Sequence, residues 1–109
     1  MFTIVEAPYF RRHWPRYWTQ ADYDAFVEFL TQNPNAGVTI PHSGGLRKIR
    51  WRRPGIGKSG GVRIIYFTRN EEGQLLLLTI YAKAVTDNLT AAQLKELRYV
   101  CEQIVAAQR

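Results

Sequence analysis

Between Gly44 and Arg63 the chain places seven cations, Arg47, Lys48, Arg50, Arg52, Arg53, Lys58 and Arg63, and no acid occurs between Glu28 and Glu71. Guanidinium and ammonium groups at this density repel one another. A segment built this way attracts a polyanion or is neutralised by an acidic partner; it is not assembled for stability alone. Phosphate is the first ligand to consider. Glycines at 55, 57 and 60 surround Lys58 and allow backbone amides to approach an anion closely, with the lysine adding a mobile charge. A plain hairpin loop is the competing reading.

The elements that carry these residues follow from patterning. Phe2–Glu6 reads as a strand and Tyr9–Trp18, broken by Pro15, as a short helical turn or loop. Thr19 and Asp22 form a capping box ahead of Tyr23, Phe26, Val27 and Leu30, and Asn33-Pro34 stops that helix. Leu46–Arg53, Gly61–Arg69 and Gln74–Ala82 read as strands. Thr90 and Gln93 cap a last helix with Leu94, Leu97, Val100, Cys101, Ile104 and Val105 on one stripe. Consecutive strands with short links pair antiparallel, so the expectation is an α+β domain: a small curved antiparallel sheet with helices on one face.

Alternation along the strands says where the cations point. Ile49 and Trp51 enter the core, leaving Lys48, Arg50 and Arg52 on the other face. Val62, Ile64 and Tyr66 share a face, with Arg63 opposite beside Ile65 and Phe67. Leu76, Leu78, Ile80 and Ala82 face one way and Thr79, Tyr81 and Lys83 the other. If these strands are neighbours, Arg50, Arg52, Arg63, Tyr81 and Lys83 converge on one open sheet face with Lys58 overhanging. That is a phosphate-binding groove carrying a phenol. For any one of these residues alone, an ordinary solvated sheet face is the competing explanation.

Other signals are weaker. Gly55-Ile-Gly57-Lys-Ser-Gly60 fits a dinucleotide fingerprint, and Gly57-Lys-Ser59 ends like a nucleotide hydrolase's phosphate loop. Both need a helix to follow, whereas Val62-Arg-Ile-Ile-Tyr-Phe is a strand. His13 and His42 have no metal-ligand spacing and read as surface residues, although His42 precedes Ser43-Gly44-Gly45 and is placed to reach the groove's edge. No metal or cofactor is expected. The lone Cys101 excludes an internal disulfide and reads as a buried small hydrophobe. Tyr9, Trp14, Tyr17 and Trp18 pad a core or interface in preference to stacking bases. A chain of 109 residues, 46% apolar, with net charge +6 suits one domain over 1–109. Short apolar runs and Glu6 near the start predict a soluble, cytoplasmic protein without a membrane partner.

Four blocks in this order, Gly44-Gly-Leu-Arg-Lys-Ile-Arg-Trp51, Gly57-Lys-Ser-Gly-Gly-Val-Arg-Ile-Ile-Tyr66, Leu77-Leu-Thr-Ile-Tyr-Ala-Lys83 and Leu89-Thr-Ala-Ala-Gln-Leu94, resemble the HigB-type branch of the RelE/ParE toxin superfamily from about residue 19 onward. The resemblance implies the toxin half of a type II toxin–antitoxin pair, with a cognate antitoxin as partner. It also implies a metal-independent endoribonuclease that enters the ribosomal A site and cuts mRNA by attack of the 2′-hydroxyl on phosphate. The toxin is then a monomer or part of a hetero-oligomeric complex with its antitoxin.

Arg63 stands where the family's Gly-x-Arg-Ile/Leu-x-Tyr strand carries its catalytic arginine, and Lys83 matches the basic residue ending the next strand. Both suit stabilisation of developing negative charge. Lys58, or Tyr81 set among cations, suits proton transfer. Lys48, Arg50, Arg52, Arg53 and Lys58 are the positions expected to hold RNA. The chain lacks the C-terminal catalytic histidine of several relatives and holds Tyr99 inside a helix, so general acid and base stay unassigned. A non-catalytic gyrase inhibitor of the ParE kind and a plain RNA-binding domain are the alternatives.

Overall fold

The structure is a computed structural model that describes residues 2–52, 61–83 and 88–108. In chain order its elements are β1 (Thr3–Glu6), α1 (Pro8–His13), a 3₁₀ turn (Trp14–Arg16), α2 (Gln20–Gln32), β2 (Val38–Thr39), β3 (Arg47–Trp51), β4 (Val62–Arg69), β5 (Gln74–Ala82) and α3 (Ala91–Ala107). Both longer helices begin as their sequences dictate. Thr19 accepts a hydrogen bond from the Asp22 amide while Asp22 accepts from the Thr19 amide, and Thr90 and Gln93 repeat the arrangement.

The five strands lie in the order β1-β5-β4-β3-β2. The pairs β2–β3, β3–β4 and β4–β5 are antiparallel, as short connections require, whereas β1 runs parallel to β5. That parallel edge is possible because α1 and α2 carry the chain from β1 to the opposite edge of the sheet, from which β2, β3 and β4 lead back to β5.

Helices cover both faces of the sheet, not one. On one face Phe10, Trp18, Phe26 and Leu30 from α1, the turn's end and α2 pack on Ile49, Ile64, Tyr66 and Leu77. On the other, Leu94, Leu97, Val100, Cys101 and Ile104 of α3 pack on Ile65, Leu76 and Leu78. Two helical stripes demand two apolar surfaces, and β5 supplies both because its run Leu75–Leu78 is apolar at every position. Each of these large side chains contributes roughly 1.5–3 kcal/mol by leaving water.

The alternation expected for β5 breaks inside that run. Ile65 pairs with Thr79 but Tyr66 pairs with Leu77, so Leu78 is an extra residue bulged out of the ladder. Leu76 and Leu78 consequently lie on the α3 side with Tyr81, while Ile80 lies on the α2 side. Cys101 is fully buried, and burial pushes its thiol pKa up.

Candidate functional site

The β3–β4–β5 register builds the site. Arg50 lies opposite Arg63, and Arg63 opposite Tyr81, so these three side chains form one row across adjacent strands on the α3 side of the sheet. One step further, beyond the strand ends, Arg52 and Lys83 lie on either side of Gly61: the Lys83 amide donates to the Gly61 carbonyl at 3.3 Å. A Cβ on Gly61 would meet the Arg52 stem at 2.9 Å and the Trp51 carbonyl at 2.4 Å. Gly61 also has φ +73°, the left-handed region, so this gap between two cations requires glycine.

Lys48 begins the series two residues before Arg50. It is half-buried and donates to Asn88 Oδ1 at 2.8 Å, fastening the segment ahead of α3 to β3. A hollow of about 200 Å³ lies there, lined by Lys48, Tyr81, Asn88, Leu89 and Leu94. Leu94 brings the first turn of α3 to its wall. A second depression of about 500 Å³ begins at Lys48, Arg50 and Arg63 and runs over the edge of β3.

The face is less open than the alternation suggests. Arg63 is 5% exposed and Tyr81 9%, whereas Arg50, Arg52 and Lys83 are exposed. Tyr81 is buried because its ring completes the apolar cluster under α3. A guanidinium held this deeply is positioned by its surroundings instead of swinging in solvent, as a group aimed at developing charge must be. Glu6 pairs with Arg11 at 3.3 Å and Glu72 with Arg69 at 3.4 Å, both away from the row.

The register thus gathers Lys48, Arg50, Arg52, Arg63, Tyr81 and Lys83. Arg53, Lys58 and the glycine loop that includes Gly55, Gly57 and Gly60 lie outside the described residues. β4 opens directly at Val62, which agrees with setting the two nucleotide-loop motifs aside. His42 does not reach the groove. It is exposed, with φ +58°, in the turn between β2 and β3 at the opposite end of β3 from Arg50, where Arg98 packs beside Gly44. His13 stacks on Tyr9 at 3.8 Å. Trp18 is buried, and Trp14 and Tyr17 pack against the α2-side core, as the padding role anticipates. Among the described residues no three His, Cys, Asp or Glu side chains cluster to hold a metal, and no helix is long and apolar enough to cross a membrane.

Sequence reasoning overlooked Phe29 and Val38, which are exposed and line the larger depression. Phe29 falls outside the Tyr23–Phe26–Val27–Leu30 stripe of α2, and that departure is its one sequence signal. The two-residue β2 gave none.

Among solved structures, a double arginine-to-alanine mutant of the E. coli toxin RelE in the free state superposes with TM-score 0.56 at 12% identity, covering 79% of this chain and 87% of that one. That likeness is one of fold. The sequence itself matches the family model of the RelE toxin of the RelE/RelB toxin–antitoxin system over residues 31–109, which takes in the whole cationic row and α3. With most of its length and every strand of the site inside that match, the chain belongs to the RelE toxin family.

Proposed function

We propose that this protein is a ribosome-dependent mRNA endonuclease of the HigB type, the toxin of a type II pair silenced by its cognate antitoxin. The observation that carries this reading is the row of Arg50, Arg63 and Tyr81, flanked by Arg52 and Lys83 on either side of Gly61. It sets one buried and three exposed cations around a space sized by the absence of one side chain, with a phenol beside them.

In the proposed reaction the ribose 2′-oxygen forms a bond to the adjacent phosphorus as the bond to the 5′-oxygen of the next nucleotide breaks. The 2′-hydroxyl proton goes to a base, and the departing 5′-oxygen receives a proton. Charge accumulates on the phosphoryl oxygens of the pentacoordinate phosphorus. Arg63, preset by burial, and Lys83 neutralise it, while Lys48, Arg50 and Arg52 hold the flanking phosphates. Tyr81 is the described residue in the row able to pass a proton; Lys58 and Arg53 are the further candidates for proton transfer and RNA holding. The reaction belongs where ribosomes are, in the cytoplasm.

The test is primer extension on mRNA translated in a reconstituted system, comparing the protein with Arg63→Ala and with reactions lacking ribosomes. Discrete cuts that require ribosomes and fall about 100- to 1,000-fold in rate in Arg63→Ala are expected, the size of effect that loss of one preset charge-stabilising group produces. Thermal melting of the variant separates lost chemistry from lost folding. Growth arrest with intact mRNA and altered DNA supercoiling would instead assign the chain to gyrase, and salt-sensitive ribosome binding without cuts would make it a passive RNA binder.

A further inference from the structure

The depression on the β3 edge differs from the cationic row in one respect: it joins two faces of the sheet. Lys48, Arg50 and Arg63 come from the α3 side, and Phe29 and Trp51 from the α2 side. It exists because β2 is only two residues long and pairs solely with Arg47 and Lys48, leaving the outer edge of Ile49–Trp51 without a described neighbour strand. The Leu46 carbonyl accepts from Ile40 on the β2 side. By the two-residue repeat of an antiparallel ladder, Arg50 turns its own N–H and C=O toward the same side, past the end of β2.

The aromatic wall of the depression is built of rings in contact. Trp51 meets Phe26 edge-on with centroids 5.3 Å apart and Phe29 at 5.3 Å in a tilted arrangement. Phe26 is fully buried, so Trp51 is braced from behind while Phe29, 37% exposed, and Val38, 73% exposed, face solvent. Large exposed apolar groups beside cations, with no acid lining the same space, suit a ligand that is anionic at one end and flat and apolar at the other. A nucleotide has that composition.

We propose that this depression is a base-stacking subsite, in which Trp51 and Phe29 hold the base of an RNA nucleotide whose phosphate rests on Arg50 and Arg63. The inference rests on the endonuclease reading, and gives that activity a protein-borne source of nucleotide preference. The outward N–H and C=O of Arg50 can pair with the edge of the stacked base, so the strand edge contributes selectivity as well as support.

Two measurements test it. In the first, the indole N–H signals of the ¹⁵N-labelled full chain are followed during titration with adenosine 5′-monophosphate and, separately, inorganic phosphate. The nucleotide is expected to move the Trp51 signal and leave those of Trp14 and Trp18 in place, while phosphate alone leaves all three unmoved. In the second, the codon profile of cutting is compared among wild type, Phe29→Leu, Phe29→Tyr and Val38→Glu. Phe29→Leu is expected to lower cutting at preferred codons about tenfold, within the range one base–aromatic stack supplies, and to flatten the preference. Phe29→Tyr restores both.

Val38→Glu changes an exposed side chain and so probes the same space without touching the core. It is expected to weaken cutting by placing a carboxylate in the anion's path. Absence of all cutting in the wild type overturns the endonuclease reading, while a Trp51 shift with nucleotide still supports the subsite. Cutting that is unchanged in rate and codon profile in Phe29→Leu and Val38→Glu, with no Trp51 shift, overturns the subsite alone. Unchanged cutting together with lost antitoxin binding in these variants also overturns it, making the depression a protein-docking surface.

Discussion

Tyr66 is fully buried at the centre of the sheet, yet its hydroxyl works at the edge. It donates to the Pro34 carbonyl and accepts from the Gly37 amide, both at 2.9 Å, tying the link between α2 and β2 down onto β4. Gly37 is required there, since a Cβ would lie 2.7 Å from the Tyr66 ring. Tyr66→Phe strands a buried amide and is expected to lower unfolding free energy by about 1–3 kcal/mol, measured by urea denaturation at pH 7. Burial raises the pKa of Tyr66, and burial first, then its hydrogen bond to Glu6, raises that of Tyr23. In the unfolded chain both phenols ionise near pH 10. The folded state keeps these protons to higher pH, so their contribution is complete below about pH 10 and is lost as pH rises through the raised values. Melting temperature should therefore fall above about pH 10, and less steeply in Tyr66→Phe. At this scale the sequence was legible in direction but not in depth. Alternation put Arg63 and Tyr81 on the right face, but the burial of Tyr81 depends on α3, whose placement no strand pattern encodes.

Among the elements, the helices were the most readable because their signals are local. Thr19 with Asp22 and Thr90 with Gln93 announce the starts of α2 and α3, and the apolar spacing that follows gives their buried stripes. The sheet was readable only in part. The bulge at Leu78 was invisible because Leu75–Leu78 is apolar on both faces, so no polar residue marks the change of phase. β2 is too short to carry a pattern, and the parallel pairing of β1 is a long-range choice. The most vulnerable junction is Gly61, where the β3, β4 and β5 ends meet. Gly61→Ala combines a positive φ with a Cβ 2.4 Å from the Trp51 carbonyl. It is expected to cost at least about 2 kcal/mol in denaturant unfolding. Spreading Arg52 from Lys83 should also reduce cutting beyond what the stability loss explains, which is read by assaying well below the variant's melting temperature.

Over the whole molecule, charge and packing are divided. The apolar surfaces are taken up by two helical layers, and in a chain of net charge +6 the cations Arg50, Arg52, Arg63 and Lys83 meet where the central strands end. Such a field steers a polyanion before any contact forms, so association with ribosomes should fall linearly on a double-logarithmic plot against salt. Replacing Arg50, Arg52 or Lys83 singly by Gln should reduce the magnitude of that slope by about 0.7 if each meets one single-stranded phosphate. Titration of binding in potassium chloride checks this, with Arg12→Gln, on exposed α1, expected to leave the slope unchanged.

The parallel pairing of β1 has a bearing on the order in which the chain acquires structure during its own synthesis. Thr3 is synthesised well before its partner: its amide waits for the carbonyl of Gly73, 70 residues later. The cationic row is equally late, because Arg50 and Arg63 gain their third neighbour only with Tyr81. Contacts of such long sequence separation form late, so the nascent chain holds no assembled cationic row until β5 is free to pair. Under the proposed endonuclease activity, the ribosome translating the chain is spared until β5 has emerged, which leaves an interval for a partner made beforehand to meet the row as it closes.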